Sequence, residues 1–107
     1  MGGKVVKVIF LWSDGARQEI GGYQGETIMD CAVDNQVPGI SAQCGGACNC
    51  ATCHCYVTDP WFARVGAAQG DEADILGFTP GRQRNSRLSC QLVLTEQLDG
   101  IAVVVPD

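Results

Sequence analysis

Four cysteines, Cys44, Cys50, Cys53 and Cys90, constrain this chain more than any other feature. Their spacing is C-x5-C-x2-C-x36-C, with three in the small-residue loop CGGACNCATC and the fourth far downstream in RLSC. A fold that uses this pattern must bring one tight loop and one distant segment to the same place. Four thiolates so arranged can hold two irons bridged by two sulfides, and a cluster of that kind moves one electron at a time. Gly45, Gly46, Ala47 and Ala51 serve the same purpose. Small residues let a loop wrap closely and aim backbone N–H groups at sulfur, which helps to set the potential, and glycine permits the positive φ of a tight wrap. The candidate chemistry is electron transfer, and no nucleophile–histidine–acid set points to catalysis on a bound substrate.

Four cysteines can also hold other groups. Zinc is held tetrahedrally by four thiolates, commonly from paired C-x2-C knuckles. Here only Cys50 and Cys53 have that spacing, so a zinc-bound interaction module is the alternative from another functional class. Cys50 to His54 reads CATCH, a haem-attachment pattern. No export signal accompanies it, both methionines precede it, and Cys44 and Cys90 would be idle. A site with two histidine ligands is excluded, because His54 is the single histidine.

With 107 residues the chain makes one domain, 1–107, with a modest core. A hydrophobic fraction of 46% is ordinary for a globular protein and argues against disorder. The formal charge is −5 before any cluster, to which four thiolates, two ferric ions and two sulfides add about −2, or about −3 when reduced. Such a surface repels nucleic acid and favours basic protein partners. Seven cysteines is an odd number, whereas a secreted disulfide framework is usually even. The start MGGKVVKVIFLW reads as a strand without signal-peptide architecture, and no long apolar span is visible. A cytoplasmic protein with no membrane segment is the expectation.

Along the chain, Lys4 to Trp12 and Arg17 to Tyr23 read as a hairpin around the turn Ser13-Asp14-Gly15. Thr27 is placed to cap a helix whose buried stripe is Ile28, Met29, Ala32 and Val33, and Pro38-Gly39 ends it. Gln43 to Cys53 lacks periodicity and reads as loop. His54 to Thr58 is a short strand, 59–70 is less regular, and Asp71 to Phe78 is a short helix with Ile75, Leu76 and Phe78 available for packing. Arg87 to Leu94 and Ile101 to Val105 are expected to close the sheet. Cys31 and Cys55 read as small core hydrophobes, Cys48 as a tolerated residue inside the loop, and His54 as a packed histidine that holds the loop. Arg82, Arg84 and Arg87 are expected to tie their segment to acids and backbone carbonyls.

The stretches CGGACNCATCHCYV (44–57), DEADILGF (71–78), NSRLSCQ (85–91) and LDGIAVVVPD (98–107), in this order and separation, carry a family resemblance. The chain resembles the 2Fe-2S ferredoxins of the adrenodoxin and putidaredoxin group, which includes bacterial oxygenase ferredoxins and ferredoxins of iron–sulfur assembly. The resemblance covers nearly the whole chain. It implies an α+β β-grasp ferredoxin fold: a mixed sheet, one main helix, short helices and a cluster in a surface loop. It implies one 2Fe-2S cluster on Cys44, Cys50, Cys53 and Cys90. It also implies a monomeric carrier between an FAD-dependent NAD(P)H ferredoxin reductase and an oxygenase, first of all a cytochrome P450. Donation in iron–sulfur cluster assembly is the alternative, because Cys48 and Cys55, in CxxxCxCxxCxC, resemble that subgroup. Partner recognition in this group falls on the acidic segment between the third and fourth ligands, which here is Asp71, Glu72 and Asp74. Gln43 stands where some oxygenase ferredoxins carry an acid that touches partners, so that contact is not expected here.

Overall fold

The computed structural model describes residues 5–37, 54–79 and 81–106. The Pro38-Gly39 stop and the loop with Gln43, Cys44, Cys48, Cys50 and Cys53 lie outside the described residues. Two strands open the chain, β1 (Val5–Leu11) and β2 (Arg17–Tyr23), paired antiparallel from Val5 opposite Tyr23 to Leu11 opposite Arg17. Alternation decides which face is inside: Val6, Val8 and Phe10 point into the core, while Val5 and Lys7 face water. Helix α1 (Ile28–Asp34) follows, then β3 (His54–Val57), α2 (Trp61–Val65), α3 (Gly70–Gly77), β4 (Ser86–Leu88) and β5 (Ile101–Val104). The sheet order is β2-β1-β5-β3-β4. β5 runs parallel to β1 and antiparallel to β3, and β3 runs antiparallel to β4, so the sheet is mixed as expected.

Helix α1 begins at a reciprocal cap. The Asp30 backbone N–H donates to Thr27 Oγ1 at 3.0 Å, and the Thr27 N–H donates to Asp30 Oδ2 at 3.2 Å. Its inner stripe is Ile28, Met29, Cys31 and Ala32. Val33, expected in that stripe, is 39% exposed instead; at 100° per residue it lies well away from the Ile28 face, and Cys31 takes the inward position. The helix lies against β2 at Gly22, where an added Cβ would stand 2.7 Å from Leu94 Cδ1 and 3.2 Å from Cys31 Sγ.

Two other expectations are corrected. Trp61 to Val65 forms a one-turn helix inside the segment read as irregular. It is held by Arg64, whose Nη1 donates to the Gln97 carbonyl at 2.9 Å while its guanidinium lies over the Trp61 ring. The expected strand from Arg87 to Leu94 is only Ser86–Leu88; the chain then makes a 3-10 turn, Ser89–Gln91, and rejoins at a single bridge between Val93 and Thr27. β4 is an edge strand whose three residues, Ser86, Arg87 and Leu88, are all buried, and α3 packs against it.

Candidate cluster site and the elements that hold it

β3 opens at His54, the residue directly after Cys53, and β4 closes at Leu88, two residues before Cys90. His54 and Leu88 are register partners in the antiparallel ladder. The start of β3 and the end of β4, more than thirty residues apart in the chain, therefore lie at the same end of the sheet.

Cys90 sits in the 3-10 turn and is buried, 7% exposed. Gln91 Nε2 lies 3.5 Å from Cys90 Sγ, oriented to donate to sulfur. The segment beyond is pinned to the entry of α1: the Ile28 N–H donates to the Leu92 carbonyl at 2.9 Å, and the Leu94 N–H donates to the Glu26 carbonyl at 2.7 Å. A thiol on such a turn cannot drift without breaking backbone hydrogen bonds on both sides.

A buried ion pair braces β4 from the other side. Arg87 Nε donates to Glu72 Oε2 at 2.6 Å and Arg87 Nη2 donates to Glu72 Oε1 at 3.1 Å, a two-pronged pair with both side chains about nine-tenths buried. Glu72 Oε2 also accepts the Leu88 backbone N–H at 2.9 Å. The remaining arm, Arg87 Nη1, donates to the carbonyls of Val65 at 3.2 Å and Gly66 at 2.9 Å. One guanidinium so links the end of α2, the inner face of α3 and the strand leading to Cys90. Desolvating such charges is costly, and only this dense set of partners offsets it.

The pair corrects one expectation. Glu72, read as part of an exposed docking segment, is 7% exposed and committed to Arg87 and Leu88. The signal was present in the register: Glu72 and Leu76 are four apart and share the inner stripe of α3. Asp71 and Asp74 fall on the outer side and are exposed. Of the three arginines, Arg87 binds acid and carbonyls as expected, whereas Arg82 and Arg84 are exposed.

His54 is buried, and its Nε2 lies 2.8 Å from Ser86 Oγ, with the ring edge-on to Tyr56 at 4.8 Å between centroids. Ser86 Oγ also accepts the Gln83 N–H at 2.8 Å, which leaves its proton for the imidazole. Burial lowers the His54 pKa and favours the neutral ring. The residue is packed, as expected, with the Ser86 hydroxyl as its partner; the loop it was expected to hold lies outside the described residues. Cys31 and Cys55 are buried, and desolvation pushes their thiols up to about 11 and about 12 respectively. Both remain protonated and apolar at neutral pH, unlike a metal-binding thiolate.

Beside Cys90, the Ser89 hydroxyl oxygen is buried and has no hydrogen-bond partner among the described residues. A buried hydroxyl without an acceptor is unfavourable by about 1–3 kcal/mol. A sulfur-rich anionic group held at Cys90 would offer acceptors at this end of the sheet. The donors on either side, Gln91 Nε2 and Ser89 Oγ, suit such a group, so the residues present fit a 2Fe-2S cluster.

Known proteins agree with this reading. The family model of the 2Fe-2S iron-sulfur cluster binding domain matches residues 13–95. Putidaredoxin of Pseudomonas putida is 42% identical over 102 residues, covering 94% of this chain and 95% of that protein. Ferredoxin CarAc of a Sphingomonas species is 42% identical over 101 residues, covering 94% and 93%. Putidaredoxin in its solved covalent complex with putidaredoxin reductase superposes with a TM-score of 0.89 at 42% identity, covering 94% of this chain and 98% of that one. A mixed sheet with a few helices and this match establish the β-grasp ferredoxin fold. The chain accordingly belongs to the 2Fe-2S iron-sulfur cluster binding family, as a putidaredoxin-like electron carrier with one 2Fe-2S cluster and not an enzyme.

Proposed function

We propose that this chain, acting as one monomeric domain over 1–107 in the cytoplasm, carries single electrons from an FAD-dependent NAD(P)H ferredoxin reductase to an oxygenase, first of all a cytochrome P450. The observation that carries the reading is the extent of the likeness to putidaredoxin, 42% identity over nearly the full length of both chains, joined to the solved reductase complex of that relative. No helix among the described residues is long and apolar enough to cross a membrane. Cys44, Cys50, Cys53 and Cys90 are the proposed ligands, and the bound cluster supplies reversible one-electron chemistry.

The protein's own residues then do four things. Cys90 is held in a hydrogen-bonded turn between β4 and the entry of α1, so this one ligand has little room to move when the charge changes. His54, Cys55 and Leu88, all buried, exclude water from the sheet end beside the site. Gln91 Nε2 donates toward Cys90 sulfur, which favours the more negative, reduced state. Asp71 and Asp74 on the outer side of α3 are the proposed docking acids; Glu72 has no part in that surface.

The test is anaerobic reduction of the purified protein by putidaredoxin-reductase-type FAD enzymes with NAD(P)H, followed by electron delivery to a cytochrome P450. Bleaching of the visible spectrum at a rate that falls with ionic strength is expected. Absence of enzymatic reduction, while dithionite reduces the same cluster, would overturn the reading.

A further inference from the structure

Phe78 is 91% exposed, far more than Val5 at 62% or Tyr23 at 55%, the next large apolar side chains among the described residues. It does not hang from a loose loop. Its backbone N–H donates to the Ile75 and Leu76 carbonyls as it closes α3. The Thr79 N–H donates to Leu76 at 3.1 Å and the Thr79 hydroxyl donates to Ile75 at 2.9 Å, which fixes the backbone immediately after the ring. Only two side-chain torsions remain to be lost when the ring is covered, a small entropic cost for so large an apolar surface.

Asp71, Asp74 and Phe78 stand at i, i+3 and i+7, so they fall within about 60° of one another around the helix and span about 10 Å along it. All three are exposed, whereas the opposite stripe, Glu72 and Leu76, is buried and clamped to β4. The outer stripe is therefore two carboxylates in line with a bare aromatic ring. An apolar anchor beside rim charges is the division found in protein interfaces: the ring, once desolvated, slows dissociation, while the charges speed encounter.

We propose that Phe78 is the apolar anchor of the docking face and enters an apolar pocket flanked by cationic side chains on the FAD-dependent reductase. The inference rests on the reading of Asp71 and Asp74 as reductase-docking acids. Complementary charge selects that occupant, since this chain carries −5 before its cluster and its outer α3 stripe holds no cation. The clamp from Glu72 to Arg87 ties the helix that presents the ring to the strand leading to Cys90, so a partner seated on Phe78 is held in a defined position relative to that ligand.

The experiment measures association and dissociation of cluster-loaded protein with the purified reductase across a salt series, for wild type, Phe78→Ala, Phe78→Leu and the double variant Asp71→Asn/Asp74→Asn. Phe78→Ala is expected to raise Kd about ten- to hundred-fold, mostly through faster dissociation, with the salt slope unchanged. Phe78→Leu recovers most of the loss, and both variants keep the visible spectrum, thermal stability and reduction potential of wild type. The acid variant lowers the association rate and flattens its salt dependence. Dissociation of Phe78→Ala within about two-fold of wild type, with the acid variant still impaired, overturns the anchor alone. Unchanged binding in every variant overturns the docking reading along with it. A drop in stability or cluster content in Phe78→Ala would make the ring a structural residue and refute the proposal.

Discussion

Replacing Glu72 by Gln separates a structural acid from a docking acid. Glu72 accepts three bonds: Arg87 Nε at 2.6 Å and the Leu88 N–H at 2.9 Å on Oε2, and Arg87 Nη2 at 3.1 Å on Oε1. A glutamine amide has one oxygen. Its least costly orientation puts that oxygen in place of Oε2, keeping two bonds and turning the NH2 toward Arg87 Nη2. One charge-assisted bond is lost, a donor faces a donor, and a buried guanidinium loses its counter-charge. Hydrogen bonds to charged groups contribute about 1.5–3 kcal/mol, and removal of one partner of a buried pair costs about 3–5 kcal/mol. Arg87 keeps the Val65 and Gly66 carbonyls, so we place Glu72→Gln at about 2–3 kcal/mol and Glu72→Ala at about 3–5 kcal/mol. For a domain of this size each kcal/mol moves the midpoint by about 4–8 °C, so Glu72→Gln should melt on the order of 10 °C lower. The assay is loss of visible absorbance on heating at one fixed scan rate, because cluster release makes unfolding irreversible. Asp71→Asn, on the exposed side of the same turn, should change stability by no more than about 0.5 kcal/mol, a midpoint shift of about 2–4 °C at most. The salt dependence of reductase association should be unchanged in Glu72→Gln. A Glu72→Gln protein as stable as Asp71→Asn, but with a weakened salt response, would refute the clamp and restore Glu72 to the surface.

Three further outcomes are expected. Metal and sulfide analysis of anaerobically purified protein should give about two irons and two labile sulfides per chain, with serine at Cys44, Cys50, Cys53 or Cys90 abolishing or badly weakening the cluster; Cys31→Ala and Cys55→Ala should keep its visible spectrum, and stoichiometric zinc without sulfide would defeat the assignment. Gly22→Ala should destabilise by about 1–3 kcal/mol in the same melting assay, because its Cβ meets a fully buried Leu94 that has no room to swing away; a neutral result would mean the α1–β2 contact is looser than described. The Cys31 thiol is raised from 9.0 to about 11, so its protonated form is favoured by folding: that stability is present below about pH 9 and is lost as pH rises through about 11. Melting midpoints of wild type and Cys31→Ala in the same fixed-rate assay should therefore diverge as pH rises across this alkaline window, and parallel curves would exclude the effect.

The sequence by itself determined the class of chemistry, because thiolate number and spacing are covalent facts that need no tertiary contact to read. It also determined the elements whose signals are local. The Thr27–Asp30 cap forms between residues three apart, and the alternation of Val6, Val8 and Phe10 reports one face of a strand. Tertiary structure decided what depends on partners distant in the chain. Leu92 and Leu94 leave the expected strand because their backbone groups pair with Ile28 and Glu26, more than sixty residues earlier. Glu72 and Asp71 are adjacent acids with the same intrinsic chemistry. One is buried and the other exposed only because Arg87 and the Leu88 N–H await on the β4 side of α3. Phe78 read as a packing residue along with Ile75 and Leu76, and its exposure follows from the same rotation of the helix. A helix offers every side chain a direction, but which direction is inside is set by the surface it docks against, and here that surface is a three-residue edge strand braced by a single arginine.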